Sequence, residues 1–505
     1  MKRQRLKQAG DRSEVRFDLR NGTLYVANDG KPLSRLGVFA ICATDLSEKD
    51  PREAFRPDDT LASTSDRDLV IALRDQRLRE YRNDSNNLKS SGKREEEASK
   101  DYRGRWPWEL LQNADDALQT EGAAQIGWKG LGFRAVLEIA DDVEIHSPPF
   151  NFRLSRKLTA DFLSKNDLKV DELSVPHFRV PHPCEHDDIV GGLLADGFST
   201  VVKLGLRPTS AEKCHEVLWN LDTQFLTIAH RIRAVDIQTG NTRRTIRAAQ
   251  RPIWPASGEI IISDGKIPRN WRRWSHQWDD DAGQVQSVAI CIPIGHEIDE
   301  PLPLYTHYPL ARTIGARAVI HASFEVNQNR EDWRARNGSN AVTDERLLAT
   351  ATELLGQIAL QIKPQEVLAA FGGLVEPTQP DKGRPDAHLA IALVNMLRTT
   401  RFVPTIGGEK LPPVEVRTWS HGLGSVLKAQ AEDVHRSALA TPAVNELTDA
   451  LHKLHAKPIG GEIALKLLMH CDASDERKAL NTLRCAWGIR FNADTVSSAR
   501  RTAIR

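Results

Sequence analysis

Glu109, Asn113 and Asp116 lie on one stretch, Trp108-Glu-Leu-Leu-Gln-Asn-Ala-Asp-Asp-Ala117. Residues four apart stack on one face of a helix, so Glu109 and Asn113 point the same way. A carboxylate at the start of such a helix can orient and deprotonate an attacking water. A carboxamide oxygen suits Mg²⁺, which takes oxygen ligands and keeps several waters. Asp116 stands one turn on. The run Ile126-Gly-Trp-Lys-Gly-Leu-Gly-Phe133 follows, a glycine-rich turn that reads as the opening of a helix. From Gly127 through Lys129, Gly130, Leu131 and Gly132 to Phe133, its backbone N–H groups can cradle phosphate, with Lys129 adding a charge. A base, a metal ligand and a phosphate cradle are the parts a nucleotide hydrolase needs.

These residues need a sheet behind them. Val15-Arg-Phe-Asp-Leu19 and Thr23-Leu-Tyr-Val-Ala27 alternate as strands, and Asn21-Gly22 between them is a strong hairpin signal. Asn28-Asp-Gly-Lys-Pro-Leu-Ser34 comes next, then a helix over 37–42. Val143-Glu-Ile-His146 and Thr200-Val-Val-Lys-Leu-Gly-Leu206 read as further strands, and Ala135–Ile139 continues the helix after the glycine turn. Asp66–Tyr81 is an amphipathic helix with Leu69, Ile71, Leu73 and Leu78. Asn83–Lys100, the most polar stretch, reads as a solvated helix or a mobile connection.

The helix with its glycine loop resembles the GHKL ATPase superfamily, most closely its sacsin-type and heat-shock-chaperone branch. The resemblance covers about residues 15–340. It implies a two-layer α/β ATPase fold, with Glu109 as general base, Asn113 as the magnesium ligand, and ATP and Mg²⁺ as ligands. The family's adenine box is missing between the two motifs, where only Leu118 to Gln125 intervene. It is similar instead to Asn28-Asp29-Gly30 and the helix after it, with a lid beginning at Leu46-Ser-Glu-Lys49. The fold is therefore expected to be circularly permuted, adenine strands first and catalytic helix second. Asn28 stands where relatives carry aspartate, and it rather than Asp29 is expected to accept from the adenine amino group through its carbonyl oxygen. Thr200 resembles the family's late threonine that helps hold adenine. Pro32 replaces a second glycine, and Ala135 stands where relatives often carry serine. Asn327-Gln-Asn-Arg-Glu331 is similar to a chaperone loop whose arginine reaches the γ-phosphate, which makes Arg330 an in-cis arginine finger.

The expected architecture is α+β: an ATPase domain over 1–208, a second α/β transducer-like domain over 209–363, and a mainly helical region over 364–505. In the second, strands are expected over 285–293 and 316–324 and a helix over 344–362. Residues 372–384 read as a linker and 401–408 as a hairpin. Lys and Arg number 69 against 68 Asp and Glu, so no global charge argues for nucleic acid; a local basic run, Arg269 to Arg273, leaves that partner open. Six scattered cysteines without a CxxC pair, and no apolar stretch near about 18 residues, point to a reduced, cytoplasmic, non-membrane protein. Residues 497–505 carry no stop signal, which leaves room for a longer protein.

His182-Pro-Cys184-Glu-His186-Asp-Asp188 is too tightly spaced for a zinc finger and reads as a polar loop; His470-Cys471 reads as core or chance. Two functions follow. One is an ATPase that drives conformational change in a chaperone-like or multi-component system, antiphage defence among them, with a protein partner or client and a homodimer as one arrangement. The other is a nucleotide-sensing scaffold that does not hydrolyse, in keeping with Asn28, Pro32 and Ala135.

Overall fold

In a computed structural model, the described residues are 13–42, 61, 63–84, 86, 88–93, 95, 104–118, 132–168, 170–172, 175–265, 267–306, 308–326, 332–336, 341–377, 384–419 and 438–459. The chain opens with β1 (Glu14–Arg20) and β2 (Thr23–Asn28), paired antiparallel from Val15↔Asn28 to Arg20↔Thr23. The turn works because Asn21 and Gly22 both take positive φ, 48° and 74°, the twist a two-residue hairpin needs. Then come α1 (Arg35–Cys42), α2 (Leu69–Asn83) and α3 (Trp106–Ala117), and a 3-10 helix over Gly132–Glu138. After β3 (Ala140–Ser147) and β4 (Phe150–Ser155) follow α4 (Arg156–Lys165), β5 (His182–Pro183), α5 (Asp188–Ala195) and β6 (Thr200–Leu206). The strands β7 (Ala234–Thr239), β8 (Thr242–Gln250), β9 (Gly258–Asp264) and β10 (Ile267–Asp279) complete the set that positions the site.

These strands lie in one large mixed sheet, in the order β10-β9-β8-β7-β1-β2-β6-β3-β4-β5. The hairpin therefore shares a sheet with residues 143–146 and 200–206, as the rewired reading requires. β2 pairs antiparallel with β6, and β6 with β3; β1 runs parallel to β7. Side chains alternate between faces along a strand, and paired residues share a face. Tyr25, Ala27 and Val201 lie under α5, packed with Val190, Leu193 and Phe198. Leu24 and Val26 are buried on the opposite face, which Asn28 and its partner Thr200 share by register. Asp187 caps α5 by accepting from the Val190 N–H at 2.8 Å.

Three expectations change. Ile71 is exposed, and Val70 takes the inner position beside Leu69 and Leu73. The polar stretch after α2 is solvated on one side only, with Asn86, Lys89 and Lys93 exposed. Residues 88–93 are helical, Leu88 packs with Tyr81 and Leu163, and Glu95 is fully buried, its carboxylate taking the N–H groups of His177 and Phe178 at 2.5 and 3.1 Å. Two backbone donors supply what a buried carboxylate lacks. The basic run is not all surface either. Arg273 is buried, its guanidinium donating to the carbonyls of Thr227, Pro252 and Ala256; it shares its strand face with buried Trp271, while Arg269, two residues before Trp271 on that face, is exposed.

The chain forms two compact units. The first takes in residues to Cys291, with Tyr305–Ala311 and His321–Arg334; the second takes in Ile292–Leu304, Arg312–Ile320 and the chain from Ala335. The expected strands occur at Val285–Ile294 and Val319–Ala322. In the second unit, α6 (Ala341–Gln361) packs on α8 (Pro385–Thr399), with α7 (Pro364–Phe371) between them in sequence, and Val403–Pro404 pairs with Lys410–Leu411, a hairpin that runs past the expected 401–408. Among the described residues, no helix is long and apolar enough to cross a membrane. The proposed lid start at 46–49 and His470-Cys471 lie outside the described residues.

Candidate functional site

The two sides of α3 meet different surroundings. Pro107 in its first turn needs no N–H partner there, which favours a helix start. Trp108 sits edge-on to Phe225, ring centroids 5.5 Å apart. Gln112 accepts from the Tyr308 hydroxyl at 2.9 Å. Asp115 takes the backbone N–H groups of His230, Arg231 and Ile232, each at 2.7 Å. A small apolar crevice lined by Leu111, Ala229 and Ile232 belongs to this packed side.

Positions 109, 113, 116 and 117 share the other side by helical period. Ala117 fixes what that side faces. A Cβ added to Gly30 would lie 2.7 Å from the Ala117 carbonyl carbon, and the Lys31 N–H donates to the Ala117 carbonyl at 2.7 Å. The Asn28-Asp29-Gly30 turn is thus docked on the C-terminal end of α3, and residue 30 must be glycine for the two backbones to come so close. Glu109 lies about 12 Å farther along the helix, at 1.5 Å per residue. Glu109 is 2% exposed; Asn113 and Asp116 are half-buried.

At the turn, the Asn28 side-chain oxygen accepts from the Gly30 N–H at 3.2 Å, and its backbone carbonyl accepts from Ser199 N at 2.9 Å. That side-chain oxygen keeps a second lone pair. The Thr200 hydroxyl lies 2.7 Å from the Ser147 hydroxyl, and Ser147 accepts from the Leu33 N–H at 2.7 Å. Ends of β2, β6 and β3 thereby gather small polar groups beside the turn. Asp29 is 3% exposed and accepts from the Glu14 N–H at 2.9 Å, which ties down the start of β1. Of the two adenine candidates, Asn28 is the one at the polar cluster.

Gly132 opens the 3-10 helix, and Phe133 is buried with its ring edge-on to Phe178 at 5.7 Å. Ala135 is fully buried. Gly127, Lys129, Gly130, Leu131 and Arg330 lie outside the described residues. Two residues of this neighbourhood escaped the sequence: Ser147, a serine at a strand end, and Asp115, adjacent to Asp116 but turned 100° away on the helix. No family model matches the chain, and no curated protein matches it.

On the opposite face of the sheet, Glu144, His146 and Cys184 converge. Burial works against charge on Glu144, but hydrogen bonds from His146 and Lys203 outweigh it and hold the carboxyl below its usual range.

Proposed function

We propose that the chain binds ATP with Mg²⁺ and hydrolyses it, as a GHKL-type ATPase of the sacsin and heat-shock-chaperone branch with its adenine strands first. The observation that supports this most is the docking of the Asn28-Asp29-Gly30 turn onto the end of the helix that carries Glu109 and Asn113. Two segments about eighty residues apart in the chain meet as the family's adenine box and catalytic helix do. In this reading Asn28 and Thr200 receive the base at one end of α3. The phosphates extend toward Glu109, over a span of about two helical turns.

Each role follows from the donor set. Asn113 offers a carboxamide oxygen and Asp116 a carboxylate on one helical side, which fits an oxygen-seeking ion, so Asn113 would hold Mg²⁺ with Asp116 supporting it. The ion when bound neutralises phosphate charge. Glu109 orients water and takes its proton. The segment from Gly127 to Gly132 supplies N–H groups and Lys129 to the phosphates, and Arg330 acts as the arginine finger. Residues 1–208 form the nucleotide-binding domain, 209–363 the transducer, and 364–505 the region that passes motion to a partner or client.

A second reading is a nucleotide-sensing scaffold. The observation that favours it is the Asn28 side-chain oxygen, already accepting from Gly30, with exposed Pro32 beside it and an alanine at 135. Steady-state phosphate release by the parent chain and by Glu109→Ala separates the two. Release that vanishes in the variant supports the ATPase; ATP binding without release in either supports the scaffold.

A further inference from the structure

Glu144 and His146 are two residues apart on β3, so both stand on one face of the sheet. Register sets Glu144 beside Lys203 and His146 beside Val201, the face that α5 covers. Asn28 and Thr200 occupy the other face. Cys184 arrives from the end of β5: its N–H donates to the Asn151 carbonyl at 3.4 Å, and Asn151 is the β4 partner of His146. A carboxylate oxygen, an imidazole nitrogen and a thiol sulfur thereby lie within 4.8 Å of one another. Glu144 is 8% exposed, His146 is fully buried, and Cys184 is half-buried.

His146 adds an independent sign. Its Nε2 lies 3.2 Å from Glu144 Oε2, and its Nδ1 is buried with no hydrogen-bond partner. Nε2 and that carboxylate oxygen stand at about the spacing of two ligand atoms on one zinc ion, so an ion there takes the place of the shared proton and Nδ1 keeps the ring proton. We propose that Glu144, His146 and Cys184 form a binding site for a divalent metal ion of the zinc class, separate from the nucleotide site. Sulfur, imidazole and carboxylate together select zinc over magnesium or calcium. His186 is a further donor nearby, its ring 6.5 Å from that of His146.

Two costs have to be met. Ligand atoms around a tetrahedral zinc lie about 3.5 Å apart, so the most widely separated pair must draw in by about 1 Å. Cys184 sits at the end of a two-residue strand, where such a shift is small. Lys203 also occupies Glu144, at 3.1 Å. It has a second carboxylate, Asp187, at 3.2 Å, and so can leave Glu144 without losing a counter-charge. Arg153 is paired to Asp142 at 2.9 Å and reaches Glu144 only at 3.9 Å. An ion at this site would pin the 182–187 segment, and with it the cap of α5, to β3.

The test uses the full chain after chelation and desalting. Cobalt(II) is titrated in without nucleotide, and the near-ultraviolet thiolate-to-cobalt band is read, with zinc then displacing it. One equivalent with that band is expected, and Cys184→Ser should abolish the band and weaken zinc binding at least tenfold, since even partners behind the ligands are worth about 10–100-fold. Cys214→Ser, a buried thiol elsewhere, should leave both unchanged. A second measurement needs no variant: zinc should protect Cys184 of the parent chain from alkylation, read by peptide mass. Absence of the band at saturating cobalt, zinc binding equal in Cys184→Ser, or alkylation indifferent to zinc would each overturn the site and leave Glu144, His146 and Lys203 as a polar cluster. None of these readings depends on ATP hydrolysis.

Discussion

Gly30 and Ala117 are in backbone contact: a methyl group at residue 30 would sit 2.7 Å from the carbonyl carbon of residue 117 and 2.8 Å from its Cβ. Neither neighbour is the far end of a flexible side chain, so the contact cannot be relieved cheaply. Gly30→Ala should push the Asn28 turn off α3 and cost roughly 1–3 kcal/mol of stability, the range for overpacking a tight site. If the turn holds adenine, ATP affinity should fall by about tenfold or more, as each 1.4 kcal/mol is a factor of ten. Chemical denaturation and nucleotide titration together check this. A variant as stable as the parent would show that the contact is not tight.

Glu109→Ala should abolish hydrolysis and keep ATP binding. A base acts on water and makes little contact with the ground-state nucleotide, so its loss falls on turnover. Nucleotide titration and phosphate release on the same sample check it. Equal turnover in parent and variant removes Glu109 from the mechanism.

Much of this frame was legible in the sequence because it rests on local signals. Asn21-Gly22 dictated the hairpin, period-2 alternation gave β2 and β6, and helical spacing gave α3. The strand pairing of the hairpin with residues 143–146 and 200–206 was legible too, through the resemblance rather than through any local pattern. What stayed hidden depends on contacts far apart in the chain. Glu95 reads as one of a solvated charge run and is buried because residues 177 and 178 bring two N–H groups to it. Cys184 reads as part of a polar loop because its neighbours in space, Glu144 and His146, lie about forty residues earlier. Arg273 looks like one member of a basic patch until the carbonyls that enclose it are counted.

Asp115 and Asp116 are adjacent and should behave differently. Asp115 satisfies three backbone donors with a nearly buried carboxylate. Asp115→Ala leaves those donors without their partner and should cost roughly 3–5 kcal/mol, since each buried donor left unsatisfied costs about 1–3. Asp116→Ala should change stability little and weaken magnesium-dependent nucleotide binding. Urea unfolding and ATP titration with and without Mg²⁺ check both variants. Equal losses of stability in the two would contradict the split between the sides of α3.

Arg330→Ala should lower turnover far more than nucleotide affinity, because an arginine finger stabilises charge that develops mainly in the transition state. The decisive measurement is single-turnover hydrolysis at saturating ATP. Hydrolysis as fast as the parent's would mean that the Asn327–Glu331 motif serves no catalytic purpose.

Acid should weaken the fold well above the range where carboxylates titrate. Burial pushes His177 and His182 down to about 4, with Arg156 and Arg74 adding to the effect, and pushes His230 down to about 3. In the unfolded chain a histidine titrates near 6.5. Between those values the unfolded chain binds protons that the native state refuses, so stability rises with pH there. The contribution is complete above about pH 6.5 and is lost as pH falls toward about 4, or toward about 3 for His230. At pH 5 each of these histidines should have withdrawn roughly 2 kcal/mol, a large share of a typical 5–15. Glu95 and Asp222 work in the opposite sense, since burial raises both, so a total slope does not isolate the histidines. His182→Gln does. Its amide can still meet the Thr159 hydroxyl, which now lies 3.1 Å from His182 Nε2, and it does not titrate. Urea midpoints at pH 7 and pH 5 should differ less in His182→Gln than in the parent, by the equivalent of roughly 2 kcal/mol. The same drop in both proteins would mean that His182 takes up its proton in the folded state as readily as in the unfolded one.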